Sequence, residues 1–257
     1  MKSIIYKTLS VCSFAVIISM SASCANSTSD HTNVANQSNA MRNDNAESEK
    51  EAKAQQLIKA INENNVPLVR QLLESGVDPN VPWFNRYPLV SAIMHIENGR
   101  FVCAMDMVRL LLEFHADPNK PDLAANSFPL WDALGIGDMN CAALLREHKA
   151  QLEYQKNDRY QILVFATKGA VVTGNMKLFD LVLSWNIDPN TRDPKTGFYA
   201  LSEAVWTNNV TVAKALVDRG VNPCLRDIEG RTPLYIAKLL KESQELINYL
   251  ESVSHCD

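Results

Sequence analysis

Apolar residues recur at helical spacing over short stretches of this chain, and each stretch ends in a similar polar phrase. In VRQLLESGVDPNV (Val69 to Val81), Val69, Leu72 and Leu73 share one helical face, Gly76 interrupts, and Val77 leads into Asp78-Pro79-Asn80. The phrase returns as VRLLLEFHADPNK (Val108–Lys120), FDLVLSWNIDPNT (Phe179–Thr191) and AKALVDRGVNPCL (Ala213–Leu225). Aligned on the opening residue of the polar turn, the positions are Asp78, Asp117, Gln151, Asp188 and Asn222, at intervals of 39, 34, 37 and 34 residues. A second landmark precedes the helix pairs: YPLVSAI (Tyr87–Ile93), FPLWDAL (Phe128–Leu134), YALSEAV (Tyr199–Val205) and TPLYIAK (Thr232–Lys238). Two landmarks in one phase predict a row of helical hairpins, each of which buries its apolar side only against its neighbours.

The local chemistry supports that phase. The residue that stops each second helix must take a left-handed backbone, and Gly76, His115, Asn186 and Gly220 hold that slot. Asp-Pro-Asn then turns the chain, with proline fixing φ and the Asx side chains bonding nearby amides. The prolines of the Tyr-Pro-Leu, Phe-Pro-Leu and Thr-Pro-Leu starts suit a first helical turn. Small Ala92, Ala133, Ala204 and Ala237 let the first helices approach closely.

Six units are counted: Gln55–Asn80, Trp83–Asn119, Asn126–Gln151, Asp158–Asn190, Lys195–Asn222 and Glu229–Asp257. The second carries about seven extra residues, Ile96–Val102, between its helices. The third has Lys149 in the left-handed slot and no Asp-Pro-Asn, so its hairpin is expected to be irregular. The fourth matches well only in its second helix, and the sixth ends in polar residues suited to a cap.

These landmarks resemble the ankyrin repeat, with its Thr-Pro-Leu-His-like start, small first helix, Val/Leu-rich second helix and Gly-Ala-Asp-x-Asn end. The resemblance runs from about Gln55 to the C-terminus. It implies an all-α ankyrin-repeat solenoid of about six helix-turn-helix units joined by short β-hairpin-like loops. It also implies a monomeric, noncatalytic module that binds a protein partner through its hairpin tips and concave face, with no cofactor.

The N-terminus alters the setting. Lys2 and Lys7 precede the apolar stretch Leu9–Met20, followed by Ser21-Ala22-Ser23 and Cys24. Residues 1–23 read as a secretory signal peptide, and the apolar run is too short for a membrane-spanning helix. Ser21-Ala22-Ser23-Cys24 resembles a bacterial lipobox, with Ser21 where leucine is usual; it implies lipidation at Cys24 and periplasmic residence at the outer membrane. Plain cleavage near Ala25 and a retained anchor are the alternatives. Residues 24–52, rich in Asn, Ser, Asp, Glu and Ala, are expected to be a flexible tether, and 53–257 the repeat domain.

Net charge is −4, and −6 once Lys2 and Lys7 leave with residues 1–23; no Lys/Arg stripe exceeds two residues, which argues against nucleic acid. Nucleophile elbows, phosphate loops and His-Glu-x-x-His helices are missing from the chain. Of the five histidines, His31 falls in the tether, His115 and His148 at helix ends, and His95 beside the insertion. Cys103, Cys141, Cys224 and Cys256 remain after Cys12 and Cys24 are set aside, with no CxxC or CxxH spacing for a metal. Repeat register favours Cys103–Cys141 and Cys224–Cys256 among the three pairings, four buried thiols being the alternative.

The remaining chemistry is surface. Trp83, Phe84, Asn85 and Arg86 form a hairpin tip, and an exposed Trp-Phe pair suits a partner contact; the alternative folds both rings onto the first unit. Met94 and Trp206 share a variable, exposed first-helix position, whereas Trp131 and Trp185 read as packing. The expected function is recognition of a periplasmic enzyme, envelope complex or toxin. An immunity protein against an exported phospholipase or peptidoglycan enzyme, and a hydrolase, are the alternatives.

Overall fold

The computed structural model describes residues 34–123, 126–154 and 158–256, with side chains from residue 48 onward. Among them, twelve helices follow in six consecutive pairs: α1 Val34–Asn62 and α2 Val66–Glu74; α3 Pro88–Ile93 and α4 Met105–Glu113; α5 Pro129–Gly135 and α6 Met139–Glu147; α7 Tyr160–Thr173 and α8 Lys177–Leu183; α9 Ala200–Trp206 and α10 Val210–Val217; α11 Pro233–Leu240 and α12 Gln244–Val253. Every helix contributes buried apolar residues to one continuous core, from Leu57 and Ile61 in α1 to Leu246 and Leu250 in α12. Successive first helices pack on one another, α3 on α5, α5 on α7, α7 on α9 and α9 on α11. Ala92, Ala133, Ala204 and Ala237 are fully buried at those contacts.

Four second helices stop where expected, with φ of 90° at Gly76, 65° at His115, 60° at Asn186 and 86° at Gly220, and Lys149 takes the same conformation after α6 at 68°. The asparagine of the polar turn then reaches the next unit. Asn80 accepts from the Asp117 N–H at 2.7 Å and donates to the His115 carbonyl at 3.0 Å. Asn119 does the same toward Gln151 and Lys149, at 2.8 and 3.4 Å, and Asn190 toward Asn222 and Gly220, at 2.7 and 3.2 Å. In the fifth unit Cys224 takes the place of that asparagine. It is bonded to Cys256, 32 residues on, the same separation that Asn119 and Asn190 bridge with hydrogen bonds. A covalent link thus replaces the amide clamp at this junction. Cys103 is bonded to Cys141, with Cα atoms 6.4 Å apart.

Two regions depart from the sequence reading. The stretch expected to be a flexible tether to residue 52 is helical from Val34. Low apolar content forbids burial there, and residues 48–53 are indeed exposed. It does not forbid a helix, because residues 46–56 are Ala, Glu, Lys and Gln with a single Ser, which are strong helix formers. Lys53 pairs with Glu49 one turn back at 2.6 Å. Buried side chains begin at Ala54. Residues 1–23, expected to be a signal peptide, and Cys24 and His31 lie outside the described residues.

The second departure is the insertion in the second unit. It is a β-hairpin of β1 His95–Glu97 and β2 Arg100–Val102, pairing Ile96 with Phe101. Its turn, Asn98-Gly99, has φ of 51° and 76°, the left-handed pair that a two-residue hairpin loop requires.

Candidate partner-binding surface

The tip of the second unit is a tight two-residue turn. Trp83 and Arg86 exchange backbone hydrogen bonds at 3.0 and 3.1 Å, which leaves Phe84 and Asn85 at the apex. Both take left-handed backbone, φ 47° and 63°. Asparagine tolerates this; phenylalanine does so at a cost of about 1–3 kcal/mol, because its Cβ crowds the following carbonyl. Yet the Phe84 side chain is 82% exposed, so the ring recovers little by burial. Trp83 is half-buried and meets the Phe84 ring edge-on at 4.5 Å. Of the two rings expected to be either displayed or folded back, Trp83 is partly tucked in and Phe84 is displayed.

Adjacent tips hang on one another. The Asn85 carbonyl accepts from Leu123 N–H at 3.1 Å, and the Thr196 carbonyl accepts from Ile228 N–H at 3.3 Å. At four tips the residue one past the start of the turn is apolar and exposed: Phe84, Leu123, Pro194 and Ile228. A second row lies on the first helices. Met94 is half-buried as the C-cap of α3, and Trp206 ends α9 at 41% exposure. Those two are three units apart and do not form one cluster. Gly135, Val172 and Leu239 hold the same register in the other units, with Val172 71% and Leu239 58% exposed. Val172, Trp206 and Leu239 thus hold one exposed apolar register on the packed neighbours α7, α9 and α11. Val172, Leu239, Leu123 and Ile228 were missed in the sequence, although their register with Met94, Trp206 and Phe84 was there to be extended.

Beneath the first two tips lies a polar relay. Arg86 Nε is 3.3 Å from Asp122 Oδ2, and the Asp122 side chain is only 3% exposed. Asp122 and Ser127 pair across the tip of the third unit, with Asp122 N–H donating to the Ser127 carbonyl at 2.8 Å. Ser127 Oγ donates to Asp132 Oδ1 on α5 at 2.6 Å. Asp132 Oδ2 is buried without a hydrogen-bond partner. Burial raises the Asp132 pKa to about 7; the charge on Asp122 adds to the rise, while Ser127 and Arg86 oppose it. Glu203, at the same register two units on, is also raised by burial, but Lys168 opposes the rise there.

Trp131 sits 6% exposed in an aromatic cluster, its ring 4.9 Å from Phe128 and 5.6 Å from both Tyr154 and Phe165. Trp185 is half-buried under the Arg146 guanidinium at 5.5 Å. Beside the inserted hairpin, Ile96 and Phe101 are 64% and 51% exposed, and a shallow groove is lined by Phe101, Val102, Cys103 and Ile136–Asn140. Among the described residues no group of three or more His, Cys, Asp or Glu is placed to hold a metal ion. Nor is any helix among them long and apolar enough to cross a membrane.

No protein-family model matches the chain. A crystal structure of an ankyrin repeat protein, EF0377, superposes with a TM-score of 0.59 at 22% identity, covering 78% of this chain and 98% of that one. The likeness establishes the fold as an ankyrin-repeat solenoid. Among curated proteins, the E3 ubiquitin-protein ligase KEG of Arabidopsis thaliana is 31% identical over 81 residues, 32% of this chain. Ankyrin repeat and SAM domain-containing protein 6 of Rattus norvegicus is 33% identical over 85 residues, 33% of this chain. The chain spans only 5% and 10% of the length of these two relatives.

Proposed function

We propose that this chain is a noncatalytic protein-binding module, exported to the periplasm and held at the outer membrane by lipid on Cys24. It recognises a protein partner through its hairpin tips and first-helix face. The observation that carries this reading is Phe84. A bulky ring in a left-handed turn position, displayed to solvent, is disfavoured twice over in the isolated chain, and an interface that covers the ring removes one of those costs. Leu123 on the adjoining tip and the Val172–Trp206–Leu239 row extend the surface. A stack already rigid before contact loses little ordering entropy on binding.

The leader and the two disulfides favour a partner outside the cytoplasm: a periplasmic enzyme, an envelope complex or an exported antibacterial effector. Neutralising such an effector, a phospholipase or a peptidoglycan enzyme, is the specific use of this surface as an immunity protein.

A photo-crosslinking residue at position 84, introduced in the full chain in envelope preparations, is expected to trap one protein that the Trp83→Ala/Phe84→Ala double variant fails to retain. Retention of every partner at unchanged affinity by that variant removes the tips from the reading. Cys24→Ser is expected to release the chain from the membrane fraction; if it stays there, the anchor lies elsewhere.

A further inference from the structure

Two buried carboxylates share one arginine beneath the tips of the second and third units. Asp122 has Arg86 at 3.3 Å, and Asp132 has only the Ser127 hydroxyl, with its second oxygen buried and unpartnered. Among the described residues, the elements packed on α5 bring Asp132 no other counter-charge. No residue of α3 is ionisable. On α6, Arg146 donates to the Ala150 carbonyl and covers Trp185, and Glu147 is exposed. On α7, Tyr160 is hydrogen-bonded by Gln161, and Lys168 lies over Phe165 and acts on Glu203. The charged groups that act on Asp132 are Asp122 and Arg86. These three described groups, Asp122, Arg86 and Asp132, sum to zero charge only when Asp132 carries a proton.

We propose that Asp132 is a proton-operated support for the first two hairpin tips. Protonated, it still accepts from Ser127 and leaves Arg86 to Asp122; ionised, it strengthens the Ser127 bond but sets a second buried negative charge beside Asp122, and that desolvated, repelled charge loosens the tips. The path runs through bonds already described. Ser127 is half of the Asp122–Ser127 pair, Asp122 holds Arg86, and Leu123 hangs on Asn85, so a change at Asp132 reaches Phe84 through contacts on both sides of the tip. A binding surface built this way is firmer in acid than in alkali. The consequence for binding rests on the docking role proposed for the tips; the conformational effect does not.

The test uses the full chain from about pH 5 to pH 9. The carboxyl carbon resonance of Asp132 is followed by NMR, together with exchange protection of the Leu123 and Ser127 amides, corrected for intrinsic rates. Asp132 is expected to titrate near neutrality, well above ordinary carboxylates. Protection at Leu123 and Ser127 is expected to fall by about tenfold or more over the same interval. Asp132→Asn, nearly isosteric and uncharged at any of these values, is expected to hold its protection nearly constant. The proposal is overturned if Asp132 is ionised throughout, or if the variant loses protection as the natural chain does. If the variant does not fold, the natural chain still decides: loss of protection whose midpoint differs from that of the Asp132 carboxyl overturns it. A Trp83→Ala/Phe84→Ala variant that keeps its partners would sink the docking role and leave this pH response intact.

Discussion

At the tip of the second unit the left-handed positions belong to Phe84 and Asn85; at the tip of the sixth the corresponding strain falls on Gly230, φ 77°, which bears it freely. The sixth tip is also electrostatically closed. Asp227 accepts from the amides of Glu229 and Arg231 at 2.9 and 2.8 Å and from Arg231 Nε at 2.6 Å. Under the second and third tips one arginine serves two buried acids. The same contrast separates Asp132 from Glu203, identical in register, one beside a like charge and the other opposed by Lys168. The C-terminal half satisfies each turn locally, whereas the N-terminal half keeps strain and charge imbalance around one displayed ring. Departures from local consistency in an otherwise regular repeat are where function is to be sought.

The largest effect that bears on this contrast is expected at the contact joining the halves. Gly169 lies inside α7 with a buried face, and a Cβ there would meet the Leu134 carbonyl, Leu178 Cδ2 at 2.5 Å and Gly137 Cα at 2.9 Å. Two of those three neighbours are backbone and cannot swing aside. Gly169→Val should cost about 4 kcal/mol or more, beyond ordinary overpacking, and separate the stack into two melting units. A single transition with little loss of stability in calorimetry would show that α5 and α7 are not the rigid joint described.

This joint was not legible in the sequence, and the reason is physical. The repeat phase follows from local rules: left-handed stops at Gly76 and His115, proline at first turns, Asx residues in the loops. Those constraints act within a few residues and leave their mark in composition. Gly169 is set by an approach between units, and Asp132 by side chains from another unit's tip; neither has a local signature. The inserted hairpin did have one, since Asn98-Gly99 between Ile96-Glu97 and Arg100-Phe101 is a strong two-residue turn signal. The tip Trp83–Arg86 stood out because adjacent large rings are rare in a loop, but the left-handed backbone under Phe84 could be seen only in the structure.

The second effect separates the two acids. Asp132 moves from an ordinary 3.8 to about 7 on folding. A raised carboxyl pKa means the folded chain binds the proton that the unfolded chain has released. The associated stability is full below about pH 4 and is lost as pH rises toward 7, by roughly 4 kcal/mol at most. Asp132→Asn should flatten that decline and leave the variant more stable than the natural chain near pH 8. Glu203→Gln should flatten a smaller part of it, since Lys168 already opposes the rise at Glu203. Denaturant midpoints measured across pH decide this, and equal effects of the two variants would erase the distinction between the halves.

Third come the disulfides, each worth ~2–4 kcal/mol if loop entropy governs. Cys224→Ser/Cys256→Ser removes the link that stands in for an asparagine clamp onto the segment after α12, so α12 should fray first and its amides exchange early. Cys103→Ser/Cys141→Ser opens a bridge in mid-stack, where flanking units hold the chain; it should lower the common transition without local fraying. Hydrogen exchange that shows the same pattern for both pairs would mean α12 depends on its bridge no more than α4 and α6 depend on theirs.

The smallest effect has the opposite sign. Phe84→Asn keeps the tight turn and replaces a strained aromatic residue with one that tolerates left-handed backbone, as the neighbouring Asn85 already does. The ring is 82% exposed, so its loss removes little buried surface. Stability should therefore rise by about 0.5–1 kcal/mol, read as a higher urea midpoint at unchanged slope. The same change made at Ile228, on the locally satisfied sixth tip, relieves no comparable strain and should move the midpoint by less than about 0.5 kcal/mol. A partner that needs Phe84 should be lost by the more stable variant, a separation of stability from binding that a merely structural ring cannot produce. If Phe84→Asn destabilises the chain, the ring is a packing element, and the contrast between the two tips loses its functional meaning.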